Sequence, residues 1–216
     1  MVADMDFRTA EPIIDALRRG PKRDLGYTSR RIPTLRRSGL AEAAQRMGYK
    51  KEMMSWSLGV VPALSSIVKL FSEPGDSIMI QTPVYSEFYD VTEAWGRNVL
   101  ENRLVEKDGA WGIDFEDFEA KAKEARIFLL CSPHNPLGIV WSREELTRMA
   151  DICMANNTLL VSDEIHSDLV FHGKKHIPTA TLSAETAGRV ISCISGTKTF
   201  NLAGFRHPPQ FFPIWR

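Results

Sequence analysis

At 216 residues the chain can bury one substantial core, and its 44% apolar and 25% charged composition is that of a folded globular protein, which excludes disorder as the default state. Lys plus Arg equals Asp plus Glu at 27 each, so no net field draws the chain onto nucleic acid or an anionic membrane. The pairs Arg18-Arg19, Arg30-Arg31 and Arg36-Arg37 lie among no interleaved aromatics and read as a solvated face. Cys131, Cys153 and Cys193 are odd in number, and two of them lie in apolar runs, which suits buried thiols in a reducing compartment better than a disulfide framework. The start, "MVADMDFRTAEP", has no apolar stretch of the secretory kind, and no segment approaches a membrane-spanning length; a cytoplasmic protein is expected.

In chain order, residues 11–19 carry Ile13, Ile14 and Leu17 at helical spacing. Residues 20–50 are rich in Gly, Pro and Arg and read as loop, with a helix over "LAEAAQRMG". A short apolar run from residue 55 turns at Gly59 into a helix with Pro62 in its first turn, stopped by "EPGD". "SIMIQT" is a buried strand, "VYSEFYDVTEAWG" helical, "NVLENRLV" a strand, and "DFEDFEAKAKE" a helix capped by Asp114. The strand "RIFLLCSP" precedes the helix "SREELTRMADICMANN", where Ser142 and Glu145 make a capping box. "TLLVSDE" and "RVISCIS" are the last strands, and the tail "FRHPPQFFPIWR" has no period.

Apolar strands alternating with helices predict a mostly parallel sheet covered on both faces, a three-layer α/β/α domain. Ligands of such sheets bind beyond the carboxyl ends of the strands. Polar residues stand there: Gly59 to Ser65, Ser132 to Asn135, Asp163 to His166 and Ser195 to Lys198. The expected organisation is an N-terminal arm over residues 1–50, a ligand-binding domain over 51–204 and an irregular tail over 205–216.

Lys198 follows a buried strand with Ser195 and Thr197 beside it, the setting of either a snorkelling surface lysine or a desolvated amine able to form a Schiff base. A Walker loop is excluded, because Thr197 and Ser192 stand where it requires glycines. The pair Ser195 and Lys198 also fits serine acyl-enzymes, whose later motifs have no room in the eighteen residues that remain. Asp163 either caps the next helix or pairs with a protonated ring nitrogen. His166, His172 and His176 match no zinc spacing, so no metal is expected. Asn135 is either a turn former beside Pro136 or an amide facing a ligand. Gly59, Val60 and Val61 open a helix whose free amides favour an anion. Tyr85 is a core aromatic or a ring that stacks on a flat cofactor.

In order, "VADMDF", "GYT", "GVVPALS", "EPGD", "PVY", "HNPLG", "SDEIHSDL" and "SGTKTFNLAG" resemble the pyridoxal-phosphate enzymes of the aspartate-aminotransferase superfamily, fold type I. The nearest branch is that of the aminotransferase-like carbon–sulfur β-lyases, which act on cystathionine and cysteine conjugates. The resemblance covers residues 1 to about 205. It implies pyridoxal 5′-phosphate held by Lys198 as a Schiff base, Asp163 on the pyridinium nitrogen, Asn135 and His166 on the phenolic oxygen, and Tyr85 stacked on the ring. The amides of Val60 and Val61 after Gly59, with Ser195, would hold the phosphate. Tyr27 would reach the phosphate of a neighbouring subunit, implying a homodimer. Lys198 would also shuttle the α-proton. The implied reaction is β-elimination to a thiol, pyruvate and ammonia. An aminotransferase uses the same lysine and the same electron sink, so these motifs leave both open. Family members carry residues before "VADMDF" and a small domain after the lysine that this chain does not show, so an inactive cofactor-binding or dimer-interaction fragment is a third expectation. Arg206, eight residues after Lys198, stands where aminotransferases often place a phosphate-binding arginine.

Overall fold

The computed structural model of the protein describes residues 5–19, 53–171, 173–203 and 210–213. The predicted helix over "LAEAAQRMG", Tyr27 and Arg206 lie outside these residues.

The central element is a five-stranded sheet, built from β2 (Ser77–Thr82), β3 (Asn98–Arg103), β6 (Ala125–Cys131), β7 (Leu159–Asp163) and β8 (Val190–Cys193). Its order is β3-β2-β6-β7-β8, and every neighbouring pair is parallel. β2, β6, β7 and β8 are apolar almost throughout because side chains of both faces are buried, which the alternation of side chains makes explicit. Ile78, Ile80, Ile127, Leu129, Val161 and Ile191 point to one face; Met79, Phe128, Leu130, Leu160 and Val190 point to the other.

The first face is covered by α2 (Val60–Phe71) and α3 (Glu87–Glu93), which bury Leu64, Val68, Phe88 and Val91. The second face is covered by α4 (Phe115–Ala122) and α5 (Arg143–Ala155), whose Phe118, Leu146 and Met149 pack with Phe128 and Trp141. Phe118 meets Phe128 edge to face at 4.9 Å between centroids. Each such fully buried side chain contributes about 1.5–3 kcal/mol over exposure, so the two cores together hold the strand register fixed.

The predicted caps are present. Asp114 accepts hydrogen bonds from the amides of Glu116 and Asp117, and Ser142 and Glu145 form the reciprocal capping box of α5. In "EPGD" the turn needs Gly75 at φ 92°, a left-handed conformation that a side chain would strain.

Four local readings change. The strand expected over "NVLENRLV" stops at Arg103; buried Leu104 separates it from an exposed hairpin of β4 (Val105–Lys107) and β5 (Ala110–Gly112). The helix expected from residue 84 begins at Glu87, after a turn through Tyr85. A 3₁₀ turn at Thr179–Thr181 and a one-turn α6 (Ala184–Ala187) lie before β8, too short to give periodicity. The tail read as irregular supplies β9 (Gln210–Pro213), antiparallel to β1 (Met54–Ser57) and lying beside β8. The chain's start forms α1 (Glu11–Arg19), as its spacing predicts.

Candidate active site at the carboxyl ends of the strands

The chain runs from β2 outward to β3, then returns past β2 to β6 and continues through β7 to β8. The strand order therefore reverses at β2 and β6, and the crevice beyond their carboxyl ends is the geometrically favoured ligand position. Two loops meet there. Tyr85, after β2, donates its amide to the Asn135 carbonyl after β6 at 3.1 Å. The Asn135 amide in turn donates to Cys131 Sγ at 3.2 Å, and Gly138 at φ 66° closes the turn with its amide on the His134 carbonyl at 2.8 Å. The Thr82–Pro83, Ser132–Pro133 and Asn135–Pro136 bonds of these loops are all cis. His134 is buried against Trp141 and places Nε2 2.8 Å from the Pro83 carbonyl, so that nitrogen carries the proton.

Asp163 ends β7, an inner strand of the sheet, and in register its neighbours are Cys131 on β6 and Cys193 on β8. Register partners in a parallel sheet project to the same face, so the carboxylate sits between two thiols above the α2 layer. Oδ1 accepts from the Ile165 amide at 3.1 Å. Burial pushes the Asp163 carboxyl up to about 7; the Ile165 amide opposes this and the Glu164 charge adds to it. Burial also raises both flanking thiols, and the Asp163 charge raises them further. Cys131, Cys153 and Cys193 are thus buried thiols, with no disulfide among them.

Tyr85 is half-buried on the same core as Val61, Val84 and Ile165; burial raises its pKa, with the charges of Glu87 and Asp163 contributing. His166 lies in the turn after β7, and its ring is held below the usual range by burial and by the positive charge of Lys198. Asp163 is thus within electrostatic reach of Tyr85, and Lys198 within reach of His166.

Lys198 is the third residue of α7 (Gly196–Thr199) and is half-buried. Ser195 caps this turn: its Oγ lies 2.9 Å from Thr197 Oγ1 and accepts from the Thr197 amide at 3.2 Å. Its hydroxyl therefore has a structural task whatever else it binds. At α2, Gly59 is the N-cap with extended backbone at φ 168°, no side chain caps the helix and no acidic residue occupies its first turn. Pro62 removes one further amide, which leaves those of Val60 and Val61 as the positive end of the helix.

Sequence reasoning passed over two features. The sequence marks Cys131 and Cys193 as core thiols, and only strand register shows them flanking Asp163. Glu164 and His176 form a buried pair, Oε2 to Nε2 at 3.0 Å, a partnership that the spacing of the three histidines does not reveal. Among the described residues no group of three or more His, Cys, Asp or Glu could hold a metal.

Residues 4–207 match the family described as aminotransferase class I and II. Cystathionine beta-lyase PatB of Bacillus subtilis (strain 168) is 45% identical over 98% of this chain and 56% of its own length. Two solved structures superpose with a TM-score of 0.90: cystalysin from Treponema denticola with a pyridoxal 5′-phosphate cofactor, at 33% identity over 99% of this chain and 55% of its own, and a PLP-bound C-S lyase from Staphylococcus hominis, at 32% identity over 100% of this chain and 56% of its own. The chain spans about half the length of the relatives it matches. On this match, over nearly its whole length, the chain belongs to the aminotransferase class I and II family.

Proposed function

We propose that the chain carries the pyridoxal 5′-phosphate site of a carbon–sulfur β-lyase acting on cystathionine or another cysteine S-conjugate, working as a homodimer. The observation that carries this reading is Asp163, a buried carboxylate lowered by no cationic side chain among the described residues. A buried carboxylate asks for a cation or a proton. A protonated ring nitrogen offers both, so the donor chemistry at the strand ends fits the cofactor. The similarity to cystathionine beta-lyase PatB and to the C-S lyase of Staphylococcus hominis supports the lyase reading.

When bound, the cofactor supplies an electron sink for negative charge developing at the substrate Cα. Asp163 would keep the ring nitrogen protonated. Lys198 is the amine that would hold the aldehyde carbon, and as a free amine it would take the proton from Cα. His166, held neutral, and Asn135 would orient the phenolic oxygen, while Tyr85 would cover one face of the ring. The Val60 and Val61 amides and the Ser195 hydroxyl would hold the phosphate at the start of α2, with Tyr27 of the neighbouring subunit. The Cβ–S bond breaks, and with one water consumed the products are a thiol, pyruvate and ammonia.

The test is direct. Purified chain mixed with pyridoxal phosphate should turn yellow, and borohydride should fix the cofactor on the peptide containing Lys198, with no fixation in Lys198→Ala. Cystathionine should then yield pyruvate. Amino transfer to a keto acid without pyruvate would assign the site to an aminotransferase instead, and a colourless protein would overturn the reading.

A further inference from the structure

Glu164 follows Asp163 in the chain, yet its side chain leaves the opposite face of the sheet, the side to which Ser162 and Ser192 also project. It is 1% exposed. Oε1 accepts from Ser162 Oγ at 3.0 Å and from the Thr179 amide at 3.0 Å, with Ser192 Oγ at 3.5 Å. Oε2 faces His176 Nε2 at 3.0 Å, and because a carboxylate only accepts, that ring nitrogen carries a proton. Ser162 Oγ also lies 2.9 Å from Thr179 Oγ1. A buried carboxylate is tolerated only when its lone pairs are met this fully.

The two ends of this network are twelve to fifteen residues apart in the chain. Between them runs the segment that holds His166, folded by turns from Ser167 to Glu164 at 3.0 Å and from Leu169 to His166 at 2.9 Å. The segment is pinned once more on the far side, where Thr199 Oγ1 donates to Asp168 Oδ2 at 2.8 Å. Thr199 is next to Lys198, so this bond joins the His166 turn to the lysine turn. The Asp168 bond is exposed, and exposed contacts of this type are weak. The buried Glu164 network must therefore carry most of the ordering.

We infer that Glu164 and His176 form a latch that fixes the segment after β7 against the sheet and thereby positions His166 beside Lys198. They are positioning residues; neither reaches the site face. The inference rests on the cofactor site proposed above. If opening the latch leaves the segment in its competent arrangement a tenth of the time, the apparent Kd for pyridoxal phosphate rises about tenfold, since affinity scales with the competent fraction.

His176→Ala removes the donor and leaves a buried carboxylate oxygen unmet, whereas His176→Gln keeps a donor of similar reach. Hydrogen–deuterium exchange is measured on each chain without cofactor, and pyridoxal phosphate binding is measured separately. In His176→Ala the amides of residues 165–169 should exchange about tenfold faster while those of β6 and β8 keep their protection, and the Kd should rise about tenfold. His176→Gln should restore both. Unchanged local exchange, an unchanged Kd despite faster exchange, or a uniform loss of protection with the midpoint of unfolding would each overturn the latch. Wild-type chain that takes no cofactor would instead strike at the proposed function, and the exchange arm would still judge whether Glu164 and His176 hold the segment.

Discussion

At Asp163 the fold has placed a carboxylate where water cannot reach it, between two thiols that offer no charge. Its carboxyl is pushed up to about 7 by burial, from an ordinary value of 3.8. In the cofactor-free protein the folded state therefore binds more protons than the unfolded chain between these limits, and stability falls as pH rises through the window. At 1.36 kcal/mol per unit, the loss amounts to about 4 kcal/mol by pH 8. Glu101 and Asp117 are held low, the first by the hydrogen bond from Tyr89 and the second by Lys121 and Asn102 against the cost of burial, and they titrate with the opposite sign. The comparison must therefore be between proteins that differ only at position 163. Asp163→Asn should flatten the decline in urea-unfolding free energy from about pH 4 to pH 8, leaving the apo variant more stable than wild type at pH 8 by up to about 4 kcal/mol. The same variant should lose most of its affinity for pyridoxal phosphate, because an amide cannot keep the ring nitrogen protonated. Parallel pH profiles for the two apo proteins would refute the assignment. Asp163 was legible in the sequence as an acid after a buried strand; its thiol neighbours were not, since they follow from pairing across strands that lie far apart in the chain.

At the scale of elements, α2 is a helix whose start has been left open. Of its first amides, that at Pro62 is absent and those at Val60 and Val61 are met by no side chain from Gly59. An Asp at position 59 can adopt the extended backbone there and accept from the Val61 amide. As a cap it should raise apo stability by about 1 kcal/mol, with a further gain from its charge at the helix end. The same carboxylate would occupy the place of an anion and repel it. Gly59→Asp should therefore move two measurements in opposite directions, with a higher thermal midpoint without cofactor and a Kd for pyridoxal phosphate raised more than tenfold. A variant that binds the cofactor as wild type does would remove α2 from the phosphate site. The caps at Asp114 and Ser142 were readable because they are local, a side chain and amides two or three residues away. The β4–β5 hairpin was not, because an exposed pair such as Val105–Lys107 with Ala110–Gly112 has no buried face and hence no alternation to read. The latch segment failed for the other reason: Glu164 and His176 are partners only after the chain has folded back on β7.

For the whole molecule, the two-faced sheet explains why one edge carries all the candidate chemistry. The strands β2, β6, β7 and β8 are mostly apolar along their length, and their carboxyl ends with the loops that follow gather Tyr85, Asn135, Asp163 and, through α7, Lys198. Among the expected site residues, Tyr27 is the one assigned to a second copy of the chain, so the oligomer itself is open to test. In the proposed dimer each site combines Lys198 of one chain with Tyr27 of the other. Lys198→Ala chains can fix no cofactor, and Tyr27→Phe chains should fix it poorly when it is limiting. Co-expressed in equal amounts, the two would form mixed dimers as about half the population, and each mixed dimer holds one site with both residues intact. Borohydride fixation should then recover to about one quarter of the wild-type level, above the mean of the two parents, and the fixed peptide should come from the Tyr27→Phe chain. Fixation at or below that mean, or sedimentation as a monomer at the concentrations used, would show that Tyr27 does not serve a neighbouring site. Lys198 and Asp163 would stand unaffected by that outcome, because both belong to the same sheet of a single chain.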